Sequence, residues 1–184
     1  NAWTTLAVLA GIVHVPLLDG TVARLDVATG FAHAVWKLES RPVGDAATLS
    51  NRIAFALDDR VAIYAEDGKP VYARLPGMAT TGVLADHGAF WVGDARGGIS
   101  RIDPLTASLH HIASGSKEPV VGIAAGAGFL YALTGDGTLL AVETKAAAAG
   151  VAWRRPGVGD SVGAPAEAGD YVAVADRRGL VRLF

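Results

Sequence analysis

Cysteine is absent from this chain of 184 residues, which excludes disulfide bonds, thiol catalysis and thiolate metal sites. A long apolar run is also absent, although hydrophobic residues make up 51% of the sequence and the mean hydropathy is +0.34. The longest apolar stretch, residues 6–18, is interrupted by His14 and Pro16 and is shorter than the roughly 20 residues that a membrane-spanning helix requires. The sequence therefore predicts no transmembrane segment.

An excess of charge of one sign is lacking as well. Sixteen basic and eighteen acidic residues give a formal net charge of −2, and the arginines are scattered along the chain. Nucleic-acid-binding domains typically carry a basic patch or stripe, so no nucleic-acid partner is expected. The one local basic cluster consists of Arg154 with Arg155 and Arg177 with Arg178. Ordinary exposed charge is the first interpretation of these pairs, and partner binding is the alternative.

The sequence does contain short apolar runs that are separated by turn residues. In residues 11–36, the runs 12–17, 21–25 and 32–38 are five to seven residues long and rich in Val, Leu and Ala. Runs of this length are too short for stable helices and are typical of strands. The sequence therefore predicts an antiparallel meander.

Two turns join these runs. Asp19-Gly20 suits a tight hairpin, because glycine adopts positive φ without steric cost. Asp26 can accept hydrogen bonds from backbone amides two and three residues later, including that of Thr29, and Gly30 can close this turn. The sequence predicts that these residues have a structural role.

The hairpin at Asp19-Gly20 recurs at regular intervals along the chain. The equivalent residues lie at intervals of 40, 38, 39 and 42, and they are Gly20, Arg60, Gly98, Gly137 and Gly179. A repeat of about 40 residues is the length of a four-stranded propeller blade. We therefore predict an all-β fold in one domain, residues 1–184: a β-propeller of about five four-stranded blades, the last one incomplete. The repeat units are approximately 4–38, 43–75, 79–112, 119–153 and 160–184.

Each unit is expected to begin with its innermost strand. These strands are predicted at residues 4–8, 45–49, 80–84, 120–124 and 161–164. The next two strands of a unit are apolar nearly throughout, which indicates burial on both faces, as in stacked blades. Outer strands such as 70–75 and 108–112 are more polar and are expected near solvent.

Residues 23–30, ARLDVATG, are followed by Val35-Trp36. This segment resembles the blade signature of the pyrroloquinoline-quinone-type, or quinoprotein-like, propeller repeat, in which A-L-D-x-x-T-G precedes a docking tryptophan. Residues 141–153 and 89–112 resemble such repeats more loosely, and Ala107 replaces the closing glycine of the signature. The resemblance implies a divergent propeller. Because similar bacterial repeats are often periplasmic, it favours a periplasmic or other extracytoplasmic location, although the compartment itself stays open.

The sequence leaves two alternatives open for the closure of the propeller. The fifth unit lacks an outer strand, so the chain is either a small ring with a weak seam or an arc of a larger propeller. The sequence begins at Asn1 without a signal-like segment, so we expect a chain that was processed, trimmed or cut from a longer one.

No residue set predicts catalysis, a bound cofactor or a metal. Asp103 and Glu143 recur at the position of Asp26, and one acidic residue per blade is typical of a structural turn rather than of a calcium loop. The adjacent His110 and His111 would point to opposite faces of a strand and could not chelate one ion. The residues assigned to structural blade turns are Asp19, Gly20, Asp26, Thr29, Gly30, Asp103, Gly137 and Gly179.

Function must be argued from a site, since a propeller fold hosts many functions. The first hypothesis is a noncatalytic scaffold that mediates protein–protein interaction or assembly, covered by a protein partner or by the remaining blades of a larger propeller. The second is a fragment of a quinoprotein-type dehydrogenase. Such enzymes need a quinone platform and a calcium site of carboxylate and amide oxygens, whereas Asn51 is the only asparagine besides Asn1. The third hypothesis is a propeller that binds a sugar or another small molecule in its central pocket.

Overall fold

A computed structural model describes residues 6–145, 149–160 and 163–184. These residues form nineteen strands, which are arranged in five antiparallel sheets. No helix long and apolar enough to cross a membrane occurs in these ranges. Residues 4–5 of the first predicted inner strand lie outside the described residues.

Every sheet repeats one order of strands from the inside of the molecule to its outside. The inner strands are β1 (Ala7–Leu9), β5 (Ala47–Leu49), β9 (Leu84–Asp86), β13 (Val120–Gly126) and β17 (Ala166–Ala168). The second strands are β2 (Ile12–Pro16), β6 (Arg52–Ala56), β10 (Ala89–Gly93), β14 (Phe129–Thr134) and β18 (Tyr171–Ala175). The third strands are β3 (Thr21–Asp26), β7 (Arg60–Ala65), β11 (Gly98–Ile102), β15 (Leu139–Glu143) and β19 (Val181–Leu183). The outer strands are β4 (Ala32–Lys37), β8 (Pro70–Arg74), β12 (Leu109–Ala113) and β16 (Val151–Arg155).

The five sheets are the blades of a β-propeller. Within each blade, consecutive strands pair antiparallel, and each inner strand contacts the inner strand of the next blade, from β1 through to β17. Blades 1 to 4 have four strands, and the described part of blade 5 has three. The all-β propeller fold with about five blades, which the 40-residue repeat predicts, is therefore confirmed.

The hydrophobic core lies between the blades. Side chains alternate along β6, so that Ile53 packs toward blade 1 whereas Ala54 packs toward blade 3. Phe90 of β10 joins the cluster between blades 2 and 3, and its neighbour Trp91 joins the cluster between blades 3 and 4. All four side chains are completely buried. The continuous apolar runs in the sequence are explained by this burial on both faces.

Two predicted inner strands are wrong. In blade 3 the prediction of residues 80–84 is displaced to Leu84–Asp86. In blade 5 the inner strand is Ala166–Ala168, and residues 163–164 of the predicted strand 161–164 are not in a strand, whereas residues 161–162 lie outside the described residues. The displaced segment of blade 3 contains Gly82, which touches the backbone of blade 2. A Cβ on Gly82 would collide with the backbone of Asp45, and a Cβ on Gly44 would lie 2.5 Å from the amide nitrogen of Gly82. The chain therefore enters the blade in close backbone contact with its neighbour and pairs as a strand only afterwards.

We expect Gly82→Ala to destabilise the fold by about 2–3 kcal/mol, because the added methyl group must displace backbone atoms. Gly150→Ala is the matched control, since a Cβ there meets no atom within 4 Å. Its effect should stay within about 0.5 kcal/mol. The comparison is made from the midpoints of urea unfolding. Equal midpoints for the two variants would show that the contact between Gly82 and the backbone of Asp45 does not constrain the fold.

Candidate functional site

The turn between the third and outer strands has the same geometry in blades 1 and 3. Asp26 Oδ1 accepts hydrogen bonds from the amide and the hydroxyl of Thr29 at 2.8 and 2.7 Å. Asp103 Oδ1 accepts the equivalent bonds from Thr106 at 2.8 and 2.9 Å. These carboxylates are occupied by their own turns. Among the described residues, no group of three or more His, Asp or Glu side chains could hold a metal ion.

The closing position of this turn requires a left-handed backbone. Gly30 has φ of 71°, and Ala107 adopts φ of 57° at the same position of blade 3. Ala107 therefore replaces the glycine of the repeat signature but keeps its left-handed backbone conformation. At the hairpins, φ is 80° for Gly20, 75° for Gly137 and 80° for Gly179.

Asp19 and two aspartates that the sequence analysis missed order the hairpins between second and third strands. Asp19 Oδ1 accepts bonds from the amide and the hydroxyl of Thr21 at 2.9 and 2.6 Å. Asp94, only 1% exposed, accepts from the amides of Arg96 and Gly98 at 2.8 and 2.9 Å. Asp176 accepts from the amides two and four residues later at 2.9 and 3.0 Å. The signal was present in the sequence, since both missed aspartates precede a glycine by three residues.

The turn carboxylates make stability dependent on pH. Hydrogen bonds from the hydroxyl and then the amide of Thr29 lower the pKa of Asp26, and the amide of Thr106 is the main cause that lowers the pKa of Asp103. A group with a lowered pKa in the folded state stabilises the fold above its unfolded pKa and loses that contribution as pH falls through the folded pKa.

We therefore expect the free energy of unfolding to decrease as the pH falls below about 4, where unfolded aspartates begin to bind protons. Asp103→Asn removes one titrating group and retains an oxygen acceptor, so its stability should fall less steeply over the same range. Urea unfolding at several pH values between 3 and 6 measures both slopes. Identical slopes for the variant and the natural chain would contradict a contribution from Asp103.

The first arginine pair lies at the end of β16 and contacts its own protein. The guanidinium of Arg154 donates from Nε to the carbonyl of Ser114 at 2.5 Å and from Nη2 to that of Ala113 at 3.3 Å, which ties blade 4 to blade 3. The guanidinium of Arg155 lies 5.4 Å from the ring centroid of Phe184 in blade 5.

The second arginine pair lies in the turn between β18 and β19. Arg177 Nε is 3.4 Å from Asp160 Oδ1, and both side chains are 69% exposed. The backbone amide of Arg178 donates to Asp176, and Arg178 itself is exposed. The four arginines thus belong to two blades and contact different groups, so partner binding by them remains a prediction.

An aromatic cluster joins blades 1 and 2. The rings of Trp36 and Tyr64 stack at 4.7 Å and 12°, and the guanidinium of Arg24 lies over the indole at 4.2 Å from the ring centroid. Arg24 also donates from Nε to Nε2 of the buried His14 at 3.4 Å. Burial and the nearby Arg24 lower the pKa of His14, and burial raises the pKa of Tyr64 to about 12. A cavity of about 250 Å³ borders the cluster, and its polar lining consists of His14, Arg24, His33, Trp36 and Glu66.

A second cavity, of about 290 Å³, lies where the chain enters the inner strands of blades 2 to 5. Its lining is mainly backbone and aliphatic, and Asp45 is the only carboxylate among the lining residues. No amide side chain lines it, and Asn51 lies elsewhere, in the turn between β5 and β6. This lining does not fit a quinone with a calcium ion, which needs several carboxylate and amide oxygens.

The face of blade 1 that points away from blade 2 is exposed and apolar. Val8 pairs with Val13, Val13 with Leu25, and Leu25 with Ala32, so one row crosses all four strands. We call this row the open face of blade 1. Val8 is 52% exposed and Leu25 is 37% exposed.

The second-strand position of this row, which Val13 occupies in blade 1, is buried in the other blades. The residue there is Ile53 in blade 2, Phe90 in blade 3, Leu130 in blade 4 and Val172 in blade 5, and none of these is more than 4% exposed. Each packs against the preceding blade. The open face of blade 1 therefore has the pattern of a blade interface.

The comparisons agree with this architecture. The structure is similar to the crystal structure of BamB from Moraxella catarrhalis, with a TM-score of 0.76 and 19% sequence identity. The fold is that of a quinoprotein-like β-propeller. The match covers 98% of this chain and 60% of the BamB chain, so this chain spans about three fifths of the length of that protein. No family model and no curated protein sequence matches the chain.

Proposed function

We propose that this chain is a noncatalytic β-propeller scaffold that binds a protein partner through the open face of blade 1. The observation that carries the proposal is the apolar row of Val8, Val13, Leu25 and Ala32. Val13 is half-buried and the other three are exposed, whereas the residue at the position of Val13 is buried in every other blade. Burial of such side chains is favourable by about 25 cal/mol for each Å² of apolar surface.

The internal interfaces indicate the chemistry of the partner surface. In the interface between blades 2 and 3, Phe90 and its row pack on a sheet face that contains Ala54, Val61 and Ile63. We infer that the partner presents a sheet with an apolar face. The similarity to BamB supports a propeller scaffold only through the fold, because the two sequences are 19% identical. One domain over residues 1–184 and an extracytoplasmic location remain part of the proposal.

A photocrosslinking amino acid at position 25 tests this function in the natural polypeptide and its source cells. We expect a cross-link to one separate protein, and none from position 105, which is 63% exposed in a turn of blade 3. Val8→Asp should weaken the purified complex at least about tenfold, because it places a charge in an apolar interface.

The stability of the free chain should change by less than about 0.5 kcal/mol in Val8→Asp, because the substituted side chain is exposed. Cross-links confined to the same polypeptide would mean that remaining blades cover the open face, and the proposal of a separate partner would then be wrong.

The cavity beside Trp36 favours a second candidate function, the binding of a sugar. An indole next to several polar side chains is a common way to hold a small polar ligand, and about 250 Å³ is close to the lower limit of about 300 Å³ for ligand pockets.

We expect a cognate monosaccharide to raise the melting temperature of the chain and to have no effect on Arg24→Ala, which removes the cation from the cavity. A thermal-shift series with neutral and acidic monosaccharides measures this. No shift at millimolar concentrations, or equal shifts in both proteins, would exclude a sugar site at Trp36.

A further inference from the structure

His14 of β2 is a buried histidine whose two ring nitrogens both have partners. Its side chain is 1% exposed, and it pairs with Ala7, which packs toward blade 2. Nδ1 lies 3.1 Å from the carbonyl oxygen of Ile12, and Nε2 lies 3.4 Å from Nε of Arg24. A carbonyl oxygen can only accept a hydrogen bond, and a guanidinium can only donate one. The proton of His14 is therefore on Nδ1, Nε2 is an acceptor, and the ring is neutral.

The neutral ring of His14 helps to fix the position of Arg24. Besides the bond from Nε to His14, Nη1 of Arg24 donates to the carbonyl of Ala34 at 3.4 Å. The guanidinium lies 4.2 Å from the ring centroid of Trp36, and the imidazole centroid lies 4.9 Å from it. The indole in turn stacks on Tyr64 of blade 2. His14, Arg24 and Trp36 therefore form one cluster, which Tyr64 connects to the next blade.

A further proton on His14 can bind only at Nε2, where it would point at Arg24. The acceptor would become a donor, and two positive charges would face each other in a site where the surrounding protein screens them less than water does. His14 cannot move easily, because it is enclosed and bonded to the carbonyl of Ile12. Arg24 is only half-buried and has a long, flexible side chain, so the guanidinium is the group that would leave.

The other charged and titratable groups of this interface do not stabilise a protonated His14. They are Asp26 of β3, His33 of β4, Tyr64 of β7, Glu66 after β7 and Tyr72 of β8. Oδ1 of Asp26 is held by its own turn, and no carboxylate of the described residues forms an ion pair with His14. Burial raises the pKa of Tyr64 to about 12 and raises that of Tyr72, so both stay uncharged near neutral pH. Protonated His14 would therefore have Arg24 as a close charged neighbour and no acidic partner.

We propose that His14 and Arg24 form a pH-sensitive switch at the cavity beside Trp36. When Nε2 of His14 takes up a proton from solvent, the guanidinium of Arg24 leaves both the imidazole and the indole. The indole surface that it covers then becomes part of the cavity of about 250 Å³. Access to Trp36 is thus restricted at neutral pH and increases in mildly acidic solution. This inference does not depend on a protein partner, because the cluster faces blade 2 and not the open face of blade 1.

Heteronuclear NMR of the natural polypeptide tests the switch directly. At pH 7.5 we expect a neutral His14 with its proton on Nδ1, and a hydrogen-bonded Nε–H signal of Arg24. As the pH falls to 5, the signals of Arg24 Nε–H and of the Trp36 indole N–H should shift together with the protonation of His14. A proton on Nε2 of His14 at pH 7.5 would overturn the inference, and so would protonation of His14 without a change at Arg24.

Three substitutions separate the switch from a general effect of acid. His14→Gln should abolish the shifts of Arg24 and Trp36, whereas the matched variant His33→Gln should retain them, since His33 is exposed in the lining of the same cavity. Arg24→Gln removes the charge and keeps N–H donors, so His14 should titrate at higher pH in this variant. Loss of the shifts in His33→Gln would assign the response to His33 and would contradict the switch. An unchanged titration of His14 in Arg24→Gln would contradict it as well.

The switch also affects stability in a defined pH range. Burial and, to a smaller extent, the charge of Arg24 lower the pKa of His14. The unfolded chain then binds this proton more readily than the folded chain, so stability decreases as the pH falls below about 6.5, above the range of the turn aspartates. We expect a lower urea midpoint at pH 5.5 than at pH 7.5, and a smaller decrease in His14→Gln. An equal decrease in both proteins, or loss of the whole folded NMR spectrum when His14 is protonated, would count against a local switch.

Discussion

The structure depends on one constraint: each blade has two apolar faces, and each face needs another sheet to cover it. Alternation along β6 sends Ile53 to blade 1 and Ala54 to blade 3, and both are completely buried. This stacking brings the backbones of neighbouring blades close together, and Gly44 and Gly82 therefore leave no room for a side chain. Hydrophobic burial drives the arrangement, and close packing fixes its geometry. The first blade satisfies the constraint on one face only, so Leu25 is 37% exposed although Ile102 and Val142, at the same register position of blades 3 and 4, are completely buried.

Local chemistry explains how much of this fold could be predicted from the sequence. The 40-residue repeat is visible because four of the five hairpins contain a glycine with positive φ, such as Gly20, and a hairpin is specified by residues that are close in sequence. The inner strand of blade 3 was mispredicted because Gly82 is required by a contact with Asp45 of blade 2, which is distant in the sequence. Asp94 and Asp176 could have been found from their spacing to glycine, since their hydrogen bonds also span four residues or fewer.

The candidate site was harder to predict from the sequence, because strand register, and not composition, determines which apolar residues are exposed. Ala7 and Val8 are adjacent apolar residues, and the first is 6% exposed whereas the second is 52% exposed. Only the pairing of β1 with β2 and the position of blade 2 distinguish them. The contacts of the arginine pairs were equally hard to predict, because a charged side chain in the sequence does not show which group it contacts. Arg154 has the sequence context of a solvent-exposed cation, yet its guanidinium bonds to the carbonyl of Ser114, 40 residues away.

The open face of blade 1 allows a nondirectional kind of recognition. Apolar burial on a face contributes affinity and discriminates weakly between sheets of similar shape. Strand register determines which side chains reach that face, because a shift of one residue would move every side chain of a strand to the opposite face. The pairing from β1 to β4 therefore places Val8, Val13, Leu25 and Ala32 in one row on the open face.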